Sequence, residues 1–252
     1  MTKTIDLNSD MGESFGAWVM GDDSALLQCV SSANLACGFH AGDPMTMRKV
    51  VRDAHARGVA IGAHPGLPDL QGFGRRAMAM TPDEIYALTV YQVGALAAFA
   101  KTCGTRLNHV KTHGALYHMT VVDPSLADAF ADAVRDVDAS LLLTVSTPSM
   151  INAAERAGLR MIHEVYADRS YQADGTLTPR SKPNAMITDA DQSIAQVRRM
   201  VHEGSVVALD GTVVPVRADT ICVHGDQPGA VEFAQRLRAG LQADGIEIRA
   251  PS

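Results

Sequence analysis

An α/β barrel of about seven parallel strands is the fold class this sequence predicts, and three observations predict it. Short apolar or alternating runs are each followed by a helical pattern, seven times along the chain, and repeated βα units imply a parallel sheet covered by helices. The length of 252 residues is near that of typical βα barrels. No G-x-G-x-x-G follows the first strand, so the fingerprint of a dinucleotide-binding open sheet is missing. An open doubly wound sheet fits the same alternation. The length and the missing fingerprint favour the barrel, and the pattern leaves open whether its first and last strands close on each other.

The expected strands are KTIDLN (3–8), SSANLAC (31–37), VAIGAH (59–64), NHVKTH (108–113), SLLLTV (140–145), RMIHEVYA (160–167) and DTICVH (219–224). Helix starts are marked between them. Asp43-Pro44 is an N-cap followed by proline at the first helical position. Thr81-Pro82-Asp83-Glu84 is a capping box, and Gly104 closes the helix behind it. Asp123-Pro124 and Thr147-Pro148 open two more helices, with Gly158 ending the second. Asp189 starts a helix that runs to about Glu203, and the last helix follows Gln227-Pro228 and ends near Gly245. VVALDGTVVPVRA (206–218) reads as a small hairpin around Asp210-Gly211. It breaks the βα rhythm, near the site or at an edge. No linker, repeat or low-complexity tract divides the chain, and the expectation is one barrel domain over 1–252.

The chain is 46% hydrophobic, enough for a substantial core. A net charge of −6 without clustered basic residues argues against nucleic acid as a partner. The longest apolar stretch, around VGALAAFA, is too short to span a bilayer. Cys29, Cys37, Cys103 and Cys222 form no C-x-x-C pair, and the opening MTKTIDLNSD holds no apolar signal segment. The expectation is reduced thiols in a cytoplasm.

Strand residues alternate between faces. In the first strand Asp6, Asn8 and Asp10 share a face opposite Ile5 and Leu7. His109, Lys111 and His113 share another, as do Glu164, Tyr166 and Asp168, and Cys222, His224 and Asp226. Gly62 and His64 oppose Ile61 and Ala63. The outer face of a barrel meets its helices and must be apolar, so these polar sets point inward. Unpaired buried ionisable groups cost several kcal/mol. A polar pocket at the C-terminal strand ends, where barrel active sites lie, accounts for them. His40, in ACGFHAGDP, is presented between two glycines just past the second strand, on the same rim as His64, His113 and His224.

Each feature has a plainer reading beside the chemical one. A single loop histidine is more often structural, but four at matching strand ends point to chemistry. Asp10 and Glu13 suit a general acid/base pair or a solvated turn. Arg75-Arg76 suits bidentate grip of a carboxylate or phosphate, or an ordinary surface. The segment 167–181, with Asp168, Arg169, Asp174 and Arg180, suits a lid or a salt-bridge network. TMRKVVRDAHAR reads as the solvated face of a helix. Asp10, His40 and His64 are plausible ligands for a catalytic zinc. Without an H-E-x-x-H or tight histidine spacing, a required metal is the less favoured reading. No G-x-x-x-x-G-K-[ST] loop is present.

The segments DLNSDMGESFGAW, ANLACGFHAGDP, GAHPGLPDLQGFGRR, VKTHGALYH, EVYADRSYQADGTLTPRS and ICVHGD, in this order from residue 6 to residue 226, resemble the lactam-utilisation proteins, the family of the A subunit of the bacterial 5-oxoprolinase. Thr112 and His118 stand where that family more often has proline and asparagine. The resemblance implies a (βα)7 barrel like that of glycoside hydrolases and carbohydrate deacetylases. It implies ATP-dependent opening of 5-oxo-L-proline to L-glutamate, with Mg-ATP as co-substrate and with partner subunits B and C. A homo-oligomer stays open. The nucleotide would be held without a P-loop or handled partly by another subunit.

On that reading Asp10, Glu13, His40, His64 and His113 supply acid/base groups. Lys111, with Arg75, Arg76 and Arg169, holds carboxylate and phosphoryl charge. Asn8, Asp168, His224 and Asp226 complete the substrate-binding set. A metal-dependent deacetylase or amidohydrolase without ATP, and a non-catalytic lactam-binding subunit, are the alternatives.

Overall fold

The computed structural model describes residues 3–224 and 229–252. The elements run β1 (Thr4–Met11), α1 (Asp23–Leu26), β2 (Ser32–Ala36), α2 (Pro44–Ala56), β3 (Ala60–His64), α3 (Pro82–Thr102), β4 (His109–Val110), α4 (Gly114–Val122), α5 (Pro124–Val137), β5 (Leu142–Val145), α6 (Pro148–Ala157), β6 (Arg160–Tyr166), α7 (Ala190–Glu203), β7 (Ser205–Val207), β8 (Val213–Pro215), β9 (Thr220–Val223), α8 (Ala230–Ala243) and β10 (Glu247–Ile248). β1 pairs in parallel with β2 on one side and β9 on the other, and β3 to β6 complete the ring. The barrel is therefore closed, with seven parallel strands. β10 pairs with the start of β1 outside the ring, Thr4 opposite Glu247.

Each ring strand sends an apolar residue into the core: Leu7, Leu35, Ile61, Val110, Leu143, Val165 and Ile221 are all buried. Full burial of one such side chain is worth about 1.5–3 kcal/mol. The start signals act through hydrogen bonds. Asp43 Oδ1 accepts from the backbone N–H groups of Met45 (2.8 Å) and Thr46 (2.9 Å), which orients α2. At α3, Thr81 and Glu84 satisfy each other's backbone donors as a capping box. Gly158 and Gly204 end α6 and α7 at φ of 70° and 64°, in the left-handed region that glycine adopts at low cost.

Five features differ from the sequence expectation. β1 runs on to Met11, which makes Asp10 a strand residue. β4 is only two residues long, because His113 already caps a helix, α4, that the sequence did not mark. The short α1 and β10 also went unread. The start expected for the last helix at Gln227-Pro228 lies outside the described residues; α8 itself runs over Ala230–Ala243. The hairpin of β7 and β8 is present, and its Leu209 N–H donates to the Tyr171 carbonyl at 3.0 Å, bracing the segment after β6.

The polar inner face divides into two levels, where the sequence argument supposed one pocket. The lower level is a packing solution after all. Asp6 accepts from the hydroxyls of Ser31 (2.6 Å), Ser32 (2.8 Å) and Thr220 (2.5 Å). Asn34 Nδ2 donates to Asn8 Oδ1 at 2.7 Å, and Asn8 Nδ2 donates to Thr220 at 2.7 Å. His109 Nε2 meets Asn34 Oδ1 at 2.7 Å, and its ring occupies the space a side chain on Gly62 would need. Buried polar groups that are all paired cost little. Among the described residues, it is the upper level that opens into a cavity.

Candidate active site

The C-terminal strand ends deliver one group after another to the same point. β1 brings Asp10, β3 brings His64, the β4–α4 turn brings Lys111 and His113, and β6 brings Glu164 and Tyr166. Above them lies a cavity of about 520 Å3, lined among others by Asp10, Glu13, His64, Arg75, Lys111, His113, Tyr117, Tyr166, Arg169 and His224.

Lys111 is the centre of its floor. Its Nζ lies 3.0 Å from Asp10 Oδ1, 2.9 Å from Glu164 Oε1 and 3.2 Å from Cys222 Sγ. Asp10 Oδ1 also accepts from Asn34 at 2.8 Å, and its Oδ2 faces His64 Nε2 at 3.4 Å. The Tyr166 hydroxyl donates to Glu164 Oε2 at 2.8 Å. Burial alone would raise the Asp10 carboxyl, but its neighbours His64 and Lys111 outweigh it and hold the group well below the usual carboxylate range. Burial alone would lower the Lys111 ammonium, yet its carboxylate partners, Asp10 first, hold it well above the ordinary lysine value. Breaking such a buried pair by removing one partner costs about 3–5 kcal/mol.

Two backbone carbonyls fix the histidine tautomers. His64 Nδ1 lies 2.9 Å from the Lys111 carbonyl, and His113 Nε2 lies 2.8 Å from the Phe73 carbonyl. A carbonyl only accepts, so both of these nitrogens carry hydrogen. The remaining nitrogens, His64 Nε2 and His113 Nδ1, then face each other at 3.1 Å. Burial first, and then the neighbouring His64, pushes the His113 imidazole down to about 3.

His40 does not reach the cavity. It is fully buried, and neither ring nitrogen has a hydrogen-bond partner. Its ring stacks on His113 with centroids 3.7 Å apart and planes 3° from parallel. Burial, and then His113, lowers its pKa well below the usual histidine value, so it stands neutral. Gly66 and Gly74 make room for the stack: a Cβ on Gly66 would lie 2.5 Å from His40 Nδ1, and one on Gly74 2.7 Å from His40 Cβ.

The remaining candidates separate. Arg75 lines the cavity, with its guanidinium 4.9 Å from the centre of the Phe73 ring. Arg76 is tied to Asp69, mostly exposed and away from the cavity lining. Asn8 belongs to the paired lower level. Asp168 grips His224 Nδ1 at 2.8 Å, and His224 lines the cavity. Arg169 lines it too, anchored by donation to the Ala185 and Thr178 carbonyls at 3.3 and 2.6 Å. The segment 167–181 is thus braced to backbone carbonyls and forms a wall. Asp226 lies outside the described residues. Thr112 and His118, the two departures from the family pattern, both line the cavity.

Among the described residues, two sets of side chains bring three ligand atoms within 4.8 Å of one another, Glu13–His64–His113 and Asp10–Cys222–His224. His40, offered to a metal by the sequence, is in neither. Sequence reasoning missed Glu164, Tyr166, Asn34 and Tyr117 as site residues. For Glu164 and Tyr166 the signal was present, since both fall on the inward face of β6; Tyr117 lies on the unmarked α4.

The chain matches the model of the LamB/YcsF family over residues 5–252. It is 66% identical to a Bordetella bronchiseptica protein named as a 5-oxoprolinase A subunit, over 98% of each chain. The crystal structure of a lactam utilization protein from Thermus thermophilus superposes with a TM-score of 0.94 at 49% identity, covering 98% of this chain and 100% of that one. A family 4 carbohydrate esterase from Streptomyces lividans is 10% identical with a TM-score of 0.50, covering 99% of this chain and 93% of that one, and shares the fold alone.

Proposed function

Because this chain belongs to the LamB/YcsF family, we propose that it is the A subunit of an ATP-dependent 5-oxoprolinase, opening 5-oxo-L-proline to L-glutamate together with partner subunits B and C. The observation that carries the reading is the single cluster of Lys111, Asp10, His64 and His113 on the floor of one cavity, with Glu164 paired to Lys111 behind it. A binding module has no need to hold a lysine between two buried carboxylates against their desolvation cost.

The chemistry sets what the cavity must do. A lactam is a resonance-stabilised amide, and transfer of the ATP γ-phosphoryl group to its carbonyl oxygen makes the carbon electrophilic. Water adds to that carbon and loses a proton, the C–N bond breaks as the ring nitrogen takes a proton, and γ-glutamyl phosphate results. A second water releases phosphate, so that 5-oxoproline, ATP and two waters become glutamate, ADP and phosphate. Asp10, a carboxylate facing the cavity, receives the proton of the attacking water. Lys111 stabilises negative charge on the substrate oxygen. Arg75, Arg169 and Arg180 line the same cavity and suit the substrate carboxylate and the phosphoryl group. All four cysteines are free thiols, and no helix among the described residues is long and apolar enough to cross a membrane. Both fit work in a reducing cytoplasm.

The test is reconstitution. The purified chain, alone and with partner subunits, is mixed with 5-oxoproline and Mg-ATP while glutamate and ADP are followed. Matched glutamate and ADP formation that requires this chain supports the proposal; ADP without glutamate in the full mixture overturns it.

A further inference from the structure

The contact between His64 and His113 poses a problem that the lactam chemistry does not solve. Each ring gives its other nitrogen to a backbone carbonyl, His64 to Lys111 and His113 to Phe73. In the neutral rings, the two nitrogens left with lone pairs are therefore aimed at each other at 3.1 Å. Asp10 Oδ2 also lies 3.4 Å from His64 Nε2, and a positive species, a proton on His64 Nε2 or a cation between the rings, reconciles the contact. Glu13 places a carboxylate oxygen within 4.8 Å of both nitrogens. A proton bridges two acceptors, whereas three acceptors around one point suit an ion with several coordination positions.

We propose that His64 Nε2, His113 Nδ1 and a Glu13 carboxylate oxygen form a binding site for one zinc-class divalent ion. The donor set is the two-imidazole, one-carboxylate set of catalytic zinc sites, which leave a further position open. All three residues line the cavity, so the open position faces the substrate space. The backbone carbonyls behind the two rings are the outer partners that metal-bound histidines normally have, fixing tautomer and ring direction. Two Zn–N bonds of about 2.1 Å at a tetrahedral angle set their nitrogens about 3.4 Å apart, close to the separation seen here. The His40 stack and the glycines at 66 and 74 hold the His113 ring where the site needs it. A bound ion supplies Lewis-acid polarisation of a substrate oxygen or activation of water.

The inference rests on the proposed function only for its use, not for its existence, because binding is read on the chain by itself. The protein is stripped with a chelator, passed into metal-free buffer and titrated with Zn2+ and with Co2+. Binding is followed by calorimetry and by the visible d–d absorption of Co2+. We expect about one ion per chain, with affinity reduced at least about a hundredfold in His64→Gln, His113→Gln and Glu13→Gln, more than loss of an outer partner gives. His224→Gln, in the second cluster, keeps the affinity. Circular dichroism identifies any variant that has not folded, and the conservative Glu13→Gln then decides. Absence of stoichiometric binding, or binding indifferent to all three substitutions, overturns the site. A chain that binds the ion yet forms no glutamate with its partners defeats the proposed function and leaves the site standing.

Discussion

His40 lies flat against His113, ring centroids 3.7 Å apart and planes 3° from parallel, with neither of its own nitrogens hydrogen-bonded. Its place is behind the chemistry, holding a neighbour in position. His40→Ala removes that backing while relieving an unpaired buried polar group. We expect a net destabilisation of about 1–3 kcal/mol by chemical denaturation, and a kcat about 10–100-fold lower with KM little changed. A wild-type kcat would show that His113 needs no backing.

Lys111 neutralises two buried carboxylates at once, so replacing it with methionine strands both. Lys111→Met is expected to cost about 3–5 kcal/mol in denaturation experiments. The double variant Lys111→Met/Glu164→Gln recovers part of that stability, because it leaves one buried charge fewer, but recovers no turnover. Equal stability of the single and double variants would contradict the pairing.

Gly74 packs its backbone against the stacked rings at φ +63°. A Cβ there would stand 2.7 Å from His40 Cβ and 2.9 Å from His113 Cδ2. Gly74→Ala combines a left-handed backbone with a clash against side chains that have no free end to move. The expected cost is above about 1 kcal/mol, read as a lowered denaturation midpoint, together with lower kcat. A neutral effect on both would mean that the rings move aside freely.

Arg75 and Arg76 are neighbours in sequence with different destinations. Arg75→Ala, which empties part of the cavity wall, should raise KM for 5-oxoproline about tenfold. Arg76→Ala breaks a pair with Asp69 away from the cavity and should leave KM near wild type. Steady-state kinetics of the two variants separates them; equal rises in KM would refute the assignment.

The sequence exposed most of this arrangement where a local rule governs it. Asp43-Pro44 and Thr81–Glu84 form the caps their residue types imply, alternation in β1 and β6 puts Asp10 and Glu164 inward, and the same alternation carried one residue past β4 does so for Lys111. Three things were hidden. GALYHMTVV starts without a capping side chain and is apolar without a clear period, so α4 and Tyr117 went unseen. Whether an inward polar residue meets a partner or a cavity depends on its level in the barrel, which separates Asp6 and Asn8 from Asp10. His40 sits between glycines like a displayed catalyst, but the backbone of residues 66 and 74 closes over it.

The most direct test of the cavity floor as the seat of lactam opening is Asp10→Asn in the reconstituted enzyme. The substitution keeps the size of the side chain and an oxygen for Asn34, and takes away the charge. Glutamate formation should fall by at least about a hundredfold while the chain remains folded and still assembles with its partners. Glutamate formed at a rate near wild type by the folded, assembled variant would contradict the account.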